Sequence, residues 1–434
     1  MMRLDSSMEI EELNRILNHR RQSCRFCIAA STLARHCEAT RVSHDALGRP
    51  VSTADSESAA RTWTYNERSE MTGCTSNDGS YSYFYDSIGN RTSSSSTGGG
   101  LSPVTHSYTA NGLNQYDYVD STAFTYDADG NLTGDGRYSY AYDCENRLVS
   151  VTPVSPSSGD RAIVNEYDHM NRRVRKTVRR YDGMGWSDQN RHSFVWDGWN
   201  IVLERIDVGG STAHVIEYYW GEDSSGTEQG AGGVGGLLAV SYDGEFYVPI
   251  YGGNGNIMGY VDDGGAFAVK FVYDPYGDVV SIEDVLSAPM PSPDGSPVPI
   301  PVGRSGEDFS FGFSTKYHDR EVGLVAYQLR SYSPRLGRWL NRDPIEERGG
   351  ANVYRFCENN PTHFFDLFGM RIRSGVKPSR CSVSDIDAAA REVLVLAVKA
   401  MNADPKESRV EHYGNLCCAC IAGRYKVFRL SLRL

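Results

Sequence analysis

Residues 125–148 read TYDADGNLTGDGRYSYAYDCENRL, and one short unit occurs in them twice. The copies are Tyr126-Asp127-Ala128-Asp129-Gly130-Asn131-Leu132 and Tyr142-Asp143-Cys144-Glu145-Asn146-Arg147-Leu148. An aromatic residue and an aspartate precede two variable positions, then Gly or Asn, then a polar or basic residue. This is the chemistry of a strand end and a turn. The aspartate bonds back to the backbone as an Asx-type turn, and Gly or Asn accepts a positive φ. The aromatic ends one strand and packs inside or against the next layer. A segment such as Arg147-Leu148-Val149-Ser150-Val151 starts the return strand.

The unit returns as Tyr85-Asp86-Ser87-Ile88-Gly89-Asn90-Arg91, Tyr167-Asp168-His169-Met170-Asn171-Arg172-Arg173 and Tyr273-Asp274-Pro275-Tyr276-Gly277. Weaker forms are His44-Asp45-Ala46-Leu47-Gly48-Arg49, Trp196-Asp197-Gly198 and Tyr242-Asp243-Gly244. Each unit is a hairpin that cannot bury its apolar face alone, so stacked units must share a continuous surface. With 27 tyrosines and 44 glycines among 434 residues, the composition suits many short strands joined by tight turns. The fold class expected is mainly β, a spiral of hairpins.

The net charge of −11 gives no nucleic-acid surface to the wall as a whole. No stretch reaches the roughly 18 consecutive apolar residues of a membrane-spanning helix. The N-terminus, MMRLDSSMEIEELNRILNHRRQSC, lacks the charged-then-apolar pattern of a secretory signal, so export by another route or a start inside a larger gene is expected. Ten cysteines in this length do not make a disulfide scaffold. Cys24, Cys27, His36 and Cys37 have zinc-ligand chemistry, as do Cys417, Cys418, Cys420 and His412. The first cluster has no second paired knuckle, and adjacent cysteines of the second would point to opposite faces of a strand, so no metal or other cofactor is assigned.

Residues 1–40 form a distinct N-terminal segment, with a helix expected over EIEELNRILNHRR. Residues 41–288 hold the repeats. Ser93–Gly100 and residues 221–236, GEDSSGTEQGAGGVGG, read as loops. Residues 289–305 are an extended Pro-rich loop carrying Pro289, Pro291, Pro293, Pro297, Pro299 and Pro301. A denser block covers 306–370. In the variable module, 371–434, Ser384 caps a helix through AAAREVLVLAVKAMN, and strands follow around Cys417–Ile421 and Tyr425–Leu432.

The block carries an ordered series of motifs: Lys316-Tyr317-His318-Asp319, Glu321-Val322-Gly323-Leu324, Arg330-Ser331-Tyr332-Ser333-Pro334-Arg335-Leu336-Gly337-Arg338-Trp339, Asp343-Pro344-Ile345, Gly349-Gly350-Ala351-Asn352-Val353-Tyr354 and Asn359-Asn360-Pro361. It resembles the RHS repeat-associated core. With the Tyr-Asp units, the resemblance to RHS/YD-repeat proteins of the polymorphic-toxin type runs over residues 41–370. It implies a β-shell, partial in this chain, closed by the core as a plug. Beyond the plug lies a small α+β C-terminal module, often a toxin.

The resemblance also implies self-cleavage. The family pattern is Asp-Pro-x-Gly and then Asp-Pro-x-Gly-Leu, with the cut after the last residue. Here the matching aspartates are Asp343, in Asp343-Pro344-Ile345-Glu346, and Asp366, in Asp366-Leu367-Phe368-Gly369-Met370, which puts the cut between Met370 and Arg371. Glu346 stands for Gly, Leu367 for Pro and Met370 for Leu. The chemistry requires two carboxylates sharing one proton, one activating water while the other polarises the scissile carbonyl. Arg342, beside Asp343, is the cation expected to hold one carboxylate ionised.

The function expected is that of a carrier, the C-terminal part of an RHS protein that encloses and releases an effector. Its partners would be its own C-terminal module and a cognate immunity protein, and its location secreted or at the cell surface. The alternatives are a carbohydrate-binding or structural surface protein, using aromatics such as Tyr81, Tyr83, Trp196 and Trp199, and an inactive fragment of a larger RHS protein.

Overall fold

The computed structural model describes residues 41–54, 60–77, 79–98, 102–252, 254–262, 265–284, 305–370, 372–374, 412–418 and 426–432. The N-terminal helix, the Pro-rich loop, the C-x2-C cluster and the helix after Ser384 lie outside them. The described chain is antiparallel β-structure with short 3-10 turns and no α-helix.

Six aspartates of the repeat build the same five-residue turn. Asp86 Oδ1 accepts from the N–H groups of Ile88 at 3.0 Å and Asn90 at 2.8 Å, while Gly89 N–H returns to the Asp86 carbonyl at 3.2 Å. Asp45, Asp127, Asp143, Asp168 and Asp274 repeat the double acceptance. The fourth residue takes the left-handed conformation, as at Gly89 (φ 90°) and Asn146 (φ 60°). Asn66 and Asn111 make the same turn with an amide oxygen. Two of the weaker forms are different. Asp197↔Asn200 and Tyr242↔Glu245 close two-residue hairpins, because no fourth and fifth residues are inserted before the return strand.

The turn inserts a register shift beside the aromatic, as at Phe84/Tyr85, Glu166/Tyr167 and Val272/Tyr273. The aromatic then reaches across to the preceding hairpin. Tyr65, Tyr85, Tyr167 and Tyr273 hydroxyls donate to the carbonyls of Pro50, Met71, Leu148 and Ile257 at 2.6, 2.8, 2.9 and 3.0 Å. Indole N–H groups of Trp196 and Trp220 do the same to Arg173 and Ile201 at 2.9 and 2.7 Å.

Strands pair strictly in chain order, nine from Arg41–His44 to Thr122–Ala123 and fourteen from Thr125–Tyr126 to Val279–Asp284. Among the described residues, the sheets do not close on themselves through backbone pairing. Instead the last unit meets the first sheet by side chains. The Tyr276 ring packs edge-on to Tyr83 at 5.0 Å, its hydroxyl meets that of Tyr85 at 2.6 Å, and Arg91 lies 4.4 Å over its face. Ser93–Gly100, read as a loop, is largely strand. Arg91–Gly98 pairs with both neighbours, and tertiary pairing overrides the weak β-propensity of serine. The Gly-rich stretch does form turns, wrapped around the buried Asp223 carboxylate.

Residues 305–370 pack against the buried face of the wall. Phe309, Phe311, Phe313, Tyr317, Tyr332 and Trp339 share one buried cluster with wall residues from Met71 to Tyr276. Val322, Leu324, Leu336 and Leu340 share another with Tyr108, Leu148 and Val178. Polar side chains of the block seek the turns. Asn360, Asn359, Arg338 and Tyr354 donate to the carbonyls of Ser69, Gly89, Asn114 and Gly130 at 2.9, 2.8, 2.5 and 2.7 Å. All four acceptors are the left-handed fourth residues of their turns. A four-stranded sheet, Tyr317–Asp319 to Arg338–Trp339, forms inside the block. Further on, His412–Cys418 pairs with Lys426–Leu432.

Two consequences are measurable. Tyr273→Phe keeps the buried ring but strands the Ile257 carbonyl, so denaturant titration should show about 1–2 kcal/mol lost; an unchanged midpoint would remove the hydroxyl from the account. The last turn alone opposes two acids. Burial first, and the Asp278 charge second, push half-buried Asp274 up to about 7. A carboxyl raised in the folded state weakens folding above that pH, and the cost fades as pH falls toward its unfolded value. Asp278→Asn should therefore stabilise the protein by about 1 kcal/mol at pH 8 and much less at pH 5, read from paired melts.

Candidate functional site

Asp343 follows the strand pair that ends at Arg338–Trp339. Its N–H donates to the Val353 carbonyl at 3.0 Å, and its carbonyl accepts from Glu346 N–H at 2.9 Å. Its Oδ1 accepts from Ile345 N–H at 3.0 Å, which closes a turn of the wall type. Asp366 ends the strand Phe364–Asp366, and its Oδ1 accepts from Gly369 N–H at 2.8 Å and Met370 N–H at 2.9 Å. The second carboxylate oxygens of the two residues point to one group. Arg330 Nη2 lies 2.9 Å from Asp343 Oδ2 and 3.5 Å from Asp366 Oδ2.

Arg330 also donates through Nε to the Gly369 carbonyl and through Nη1 to the Val353 carbonyl at 3.2 Å. Its guanidinium stacks 4.1 Å over Trp339. The planar fork is therefore satisfied on both edges, which suits arginine rather than lysine. Burial raises the Asp343 carboxyl above the ordinary carboxylate range, and the Asp366 charge adds to the rise. Arg330 and the Ile345 N–H pull the other way. Burial also pushes the neighbouring Cys357 thiol well up, leaving it neutral and a poor nucleophile.

Arg342 does not take the expected place. It is exposed, with its stem against Gly130, because the chain turns its side chain outward next to the inward-facing Asp343. The cation that meets both aspartates is Arg330, at the start of Arg330-Ser331-Tyr332. Sequence reasoning passed over it because it is remote in the chain from either carboxylate. Lys316 was also not singled out. Its ammonium ties the Leu367 carbonyl at 2.9 Å to that of Gly232 at 2.6 Å, and burial lowers it to about 7.

The departures from the Asp-Pro-x-Gly pattern have distinct physical meanings. Glu346 stands at φ 54°, the conformation that favours glycine. Leu367 is buried with Ala231, Val234 and Phe365, so packing holds a position that a proline ring would have fixed. The aromatics weighed for sugar stacking are built into the wall. Tyr83 is buried and Tyr81 partly buried against the same core, Trp196 donates to a backbone carbonyl, and Trp199 packs on Phe368 at 6.0 Å. Among the described residues no group of His, Cys, Asp and Glu is placed to hold a metal ion. No helix among them is long and apolar enough to cross a membrane.

Two buried aspartates on one arginine, inside a wall of antiparallel hairpins, define a shell-type β-protein with a carboxylate pair in its plug. No family model matches the chain. It is 25% identical over 312 residues to the tRNA3(Ser)-specific nuclease WapA of Bacillus spizizenii, covering 70% of this chain and 12% of that protein. It is 26% identical over 286 residues to double-stranded DNA deaminase toxin A of Burkholderia cenocepacia, covering 61% of this chain and 18% of the relative. The fold matches the crystal structure of TcdB2-TccC3 with a TM-score of 0.59 at 17% identity, over 76% of this chain and 17% of that one. The chain thus spans less than a fifth of the length of each. One of these relatives is named as a nuclease and the other as a deaminase toxin, and the chain shares its fold with part of TcdB2-TccC3.

The left-handed Glu346 generates a stability test. Glu346→Gly relieves the steric cost but adds backbone freedom to the unfolded chain, so a gain of up to about 1 kcal/mol is expected. Glu346→Val, β-branched at the same φ, should lose about 1–2 kcal/mol. Equal melting temperatures for all three would show that the turn is not strained.

Proposed function

We propose that this chain is the C-terminal part of an RHS-repeat carrier that encloses a C-terminal effector and releases it by aspartyl self-cleavage between Met370 and Arg371. The observation that carries the reading is the meeting of Asp343 and Asp366 on Arg330, which also grips the Gly369 carbonyl. Asp366 and Arg330 hold the chain up to the Met370 N–H, one residue short of the cut. Asp343, raised by its burial, is a stronger base toward water than an ordinary aspartate. Water oxygen adds to the Met370 carbonyl carbon as its proton passes to Asp343. The bond to Arg371 nitrogen then breaks as that nitrogen receives the proton, leaving a carboxylate and an amine. Arg330 offsets the negative charge throughout.

A relative named as a nuclease and another named as a deaminase toxin support an effector as cargo. We further propose residues 371–434 as the releasable module, an immunity protein as its partner, and a secreted or cell-surface location for the carrier. The engaged aromatics argue against the carbohydrate-binding alternative.

Intact-mass analysis of the purified full chain should show a cut after Met370, and Asp343→Asn should remain whole. The wild-type rate should fall in acid as Asp343 is protonated, at a pH above that of an ordinary aspartate. A wild-type chain that stays whole across that range would overturn the reading.

A further inference from the structure

We infer that Gly349 keeps open the path by which water reaches Asp343, and that its missing side chain lets the two-aspartate site hydrolyse a peptide. The inference rests on the self-cleavage reading and adds to it a positioning residue for the water.

Hydrolysis needs a water at a site that is otherwise packed shut. The side chains of Arg330 and Asp366 are each 2% exposed, and that of Asp343 is 8% exposed. Asp366 Oδ1 is occupied by two amide N–H groups, and its Oδ2 faces Arg330. Asp343 Oδ1 is occupied by Ile345 N–H. The remaining approach to the pair is toward Asp343 Oδ2, beside its contact with Arg330.

Gly349 lies over that approach. It is solvent-exposed, and a Cβ on it would stand 2.6 Å from Asp343 Oδ2, 3.0 Å from its Cγ and 3.5 Å from Ile345 Cγ1. The space in front of the carboxylate is therefore the space that any other residue would fill. The backbone does not require glycine here, because Gly349 is not among the residues with positive φ, whereas its neighbour Gly350 has φ 133°. What glycine supplies at 349 is room. The 3-10 turn Glu346–Gly349, closed by Gly350 N–H to the Glu347 carbonyl at 3.1 Å, fixes that gap in place. Asp343 cannot retreat cheaply, since Ile345 N–H and Arg330 hold its two oxygens.

The test compares first-order self-cleavage rates of the full chain by intact mass. Gly349→Ala should slow the reaction by about 10- to 100-fold without moving the acid limb of the pH profile. Gly112→Ala, at an exposed turn with open space around it, should cleave at the wild-type rate. Ile345→Ala trims the third wall of the same gap, so adding it to Gly349→Ala should restore part of the rate. A wild-type rate in Gly349→Ala overturns the water path while leaving self-cleavage intact. A slowed Gly349→Ala with a shifted acid limb, or without rescue by Ile345→Ala, also overturns it, since the methyl would then have displaced the carboxylate. A wild-type chain that does not cut, like Asp343→Asn, overturns the underlying reading and the inference with it.

Discussion

A carbonyl oxygen at a tight turn has no partner in the strand ladder, and this molecule is assembled around that constraint. A buried carbonyl left unpaired costs about as much as a lost hydrogen bond. Several of the five-residue turns present carbonyl oxygens at two positions to side chains from outside the turn. The one that opens the return strand receives a tyrosine hydroxyl or indole N–H from the next hairpin, as Met71 does from Tyr85. The one on the left-handed fourth residue receives a side chain from the block inside, as Gly130 does from Tyr354. The repeat therefore needs an aromatic with a polar tip, which phenylalanine lacks. The motifs of residues 338–360 then read as plugs for sockets that the wall leaves open.

The carboxylate pair is a variation on the same turn. In the wall, one aspartate oxygen holds the turn amides and the other binds the fifth residue, as Asp86 Oδ2 binds Asn90 and Asp143 Oδ2 binds Arg147. At Asp343 and Asp366 the first oxygen still holds turn amides. The second oxygens meet on Arg330. Two charges on one guanidinium leave net negative charge in a buried place, the condition that raises a carboxyl toward neutrality. The pair differs from the wall turns by a change of partner, with no new fold required.

What could be read from residue order follows the range of the interaction. The Tyr-Asp turns were legible because donor and acceptor lie within five positions. The units at Asn66 and Asn111 escaped because an amide does the work of the carboxylate and Asn111 follows Ala110 rather than an aromatic. The serine strand Arg91–Gly98 escaped because its partners, and not its composition, make it a strand. Both aspartates of the site could be named by resemblance, but their cation could not. Arg342 is adjacent in the chain and faces solvent, whereas Arg330 reaches both acids only after the four-stranded sheet of the block has formed.

The departures from the Asp-Pro-x-Gly pattern can be weighed on the same grounds. A proline in the second motif would fix the turn through its ring. Leu367 achieves the same end by other means, with its side chain in an apolar cluster and its carbonyl on Lys316. Rigidity there is supplied by packing, so this change leaves the Asp366 turn in place with its two amides bound. Glu346 has no such compensation. It is exposed, it adopts a left-handed φ, and no side-chain bond offsets the cost at the cap of its 3-10 turn. The strain falls on the turn that carries Asp343, the carboxylate whose position matters most for a reaction with water. Of the exchanges at 346 and 367, the one at 346 is therefore the one that strains the turn on which the proposed cleavage depends.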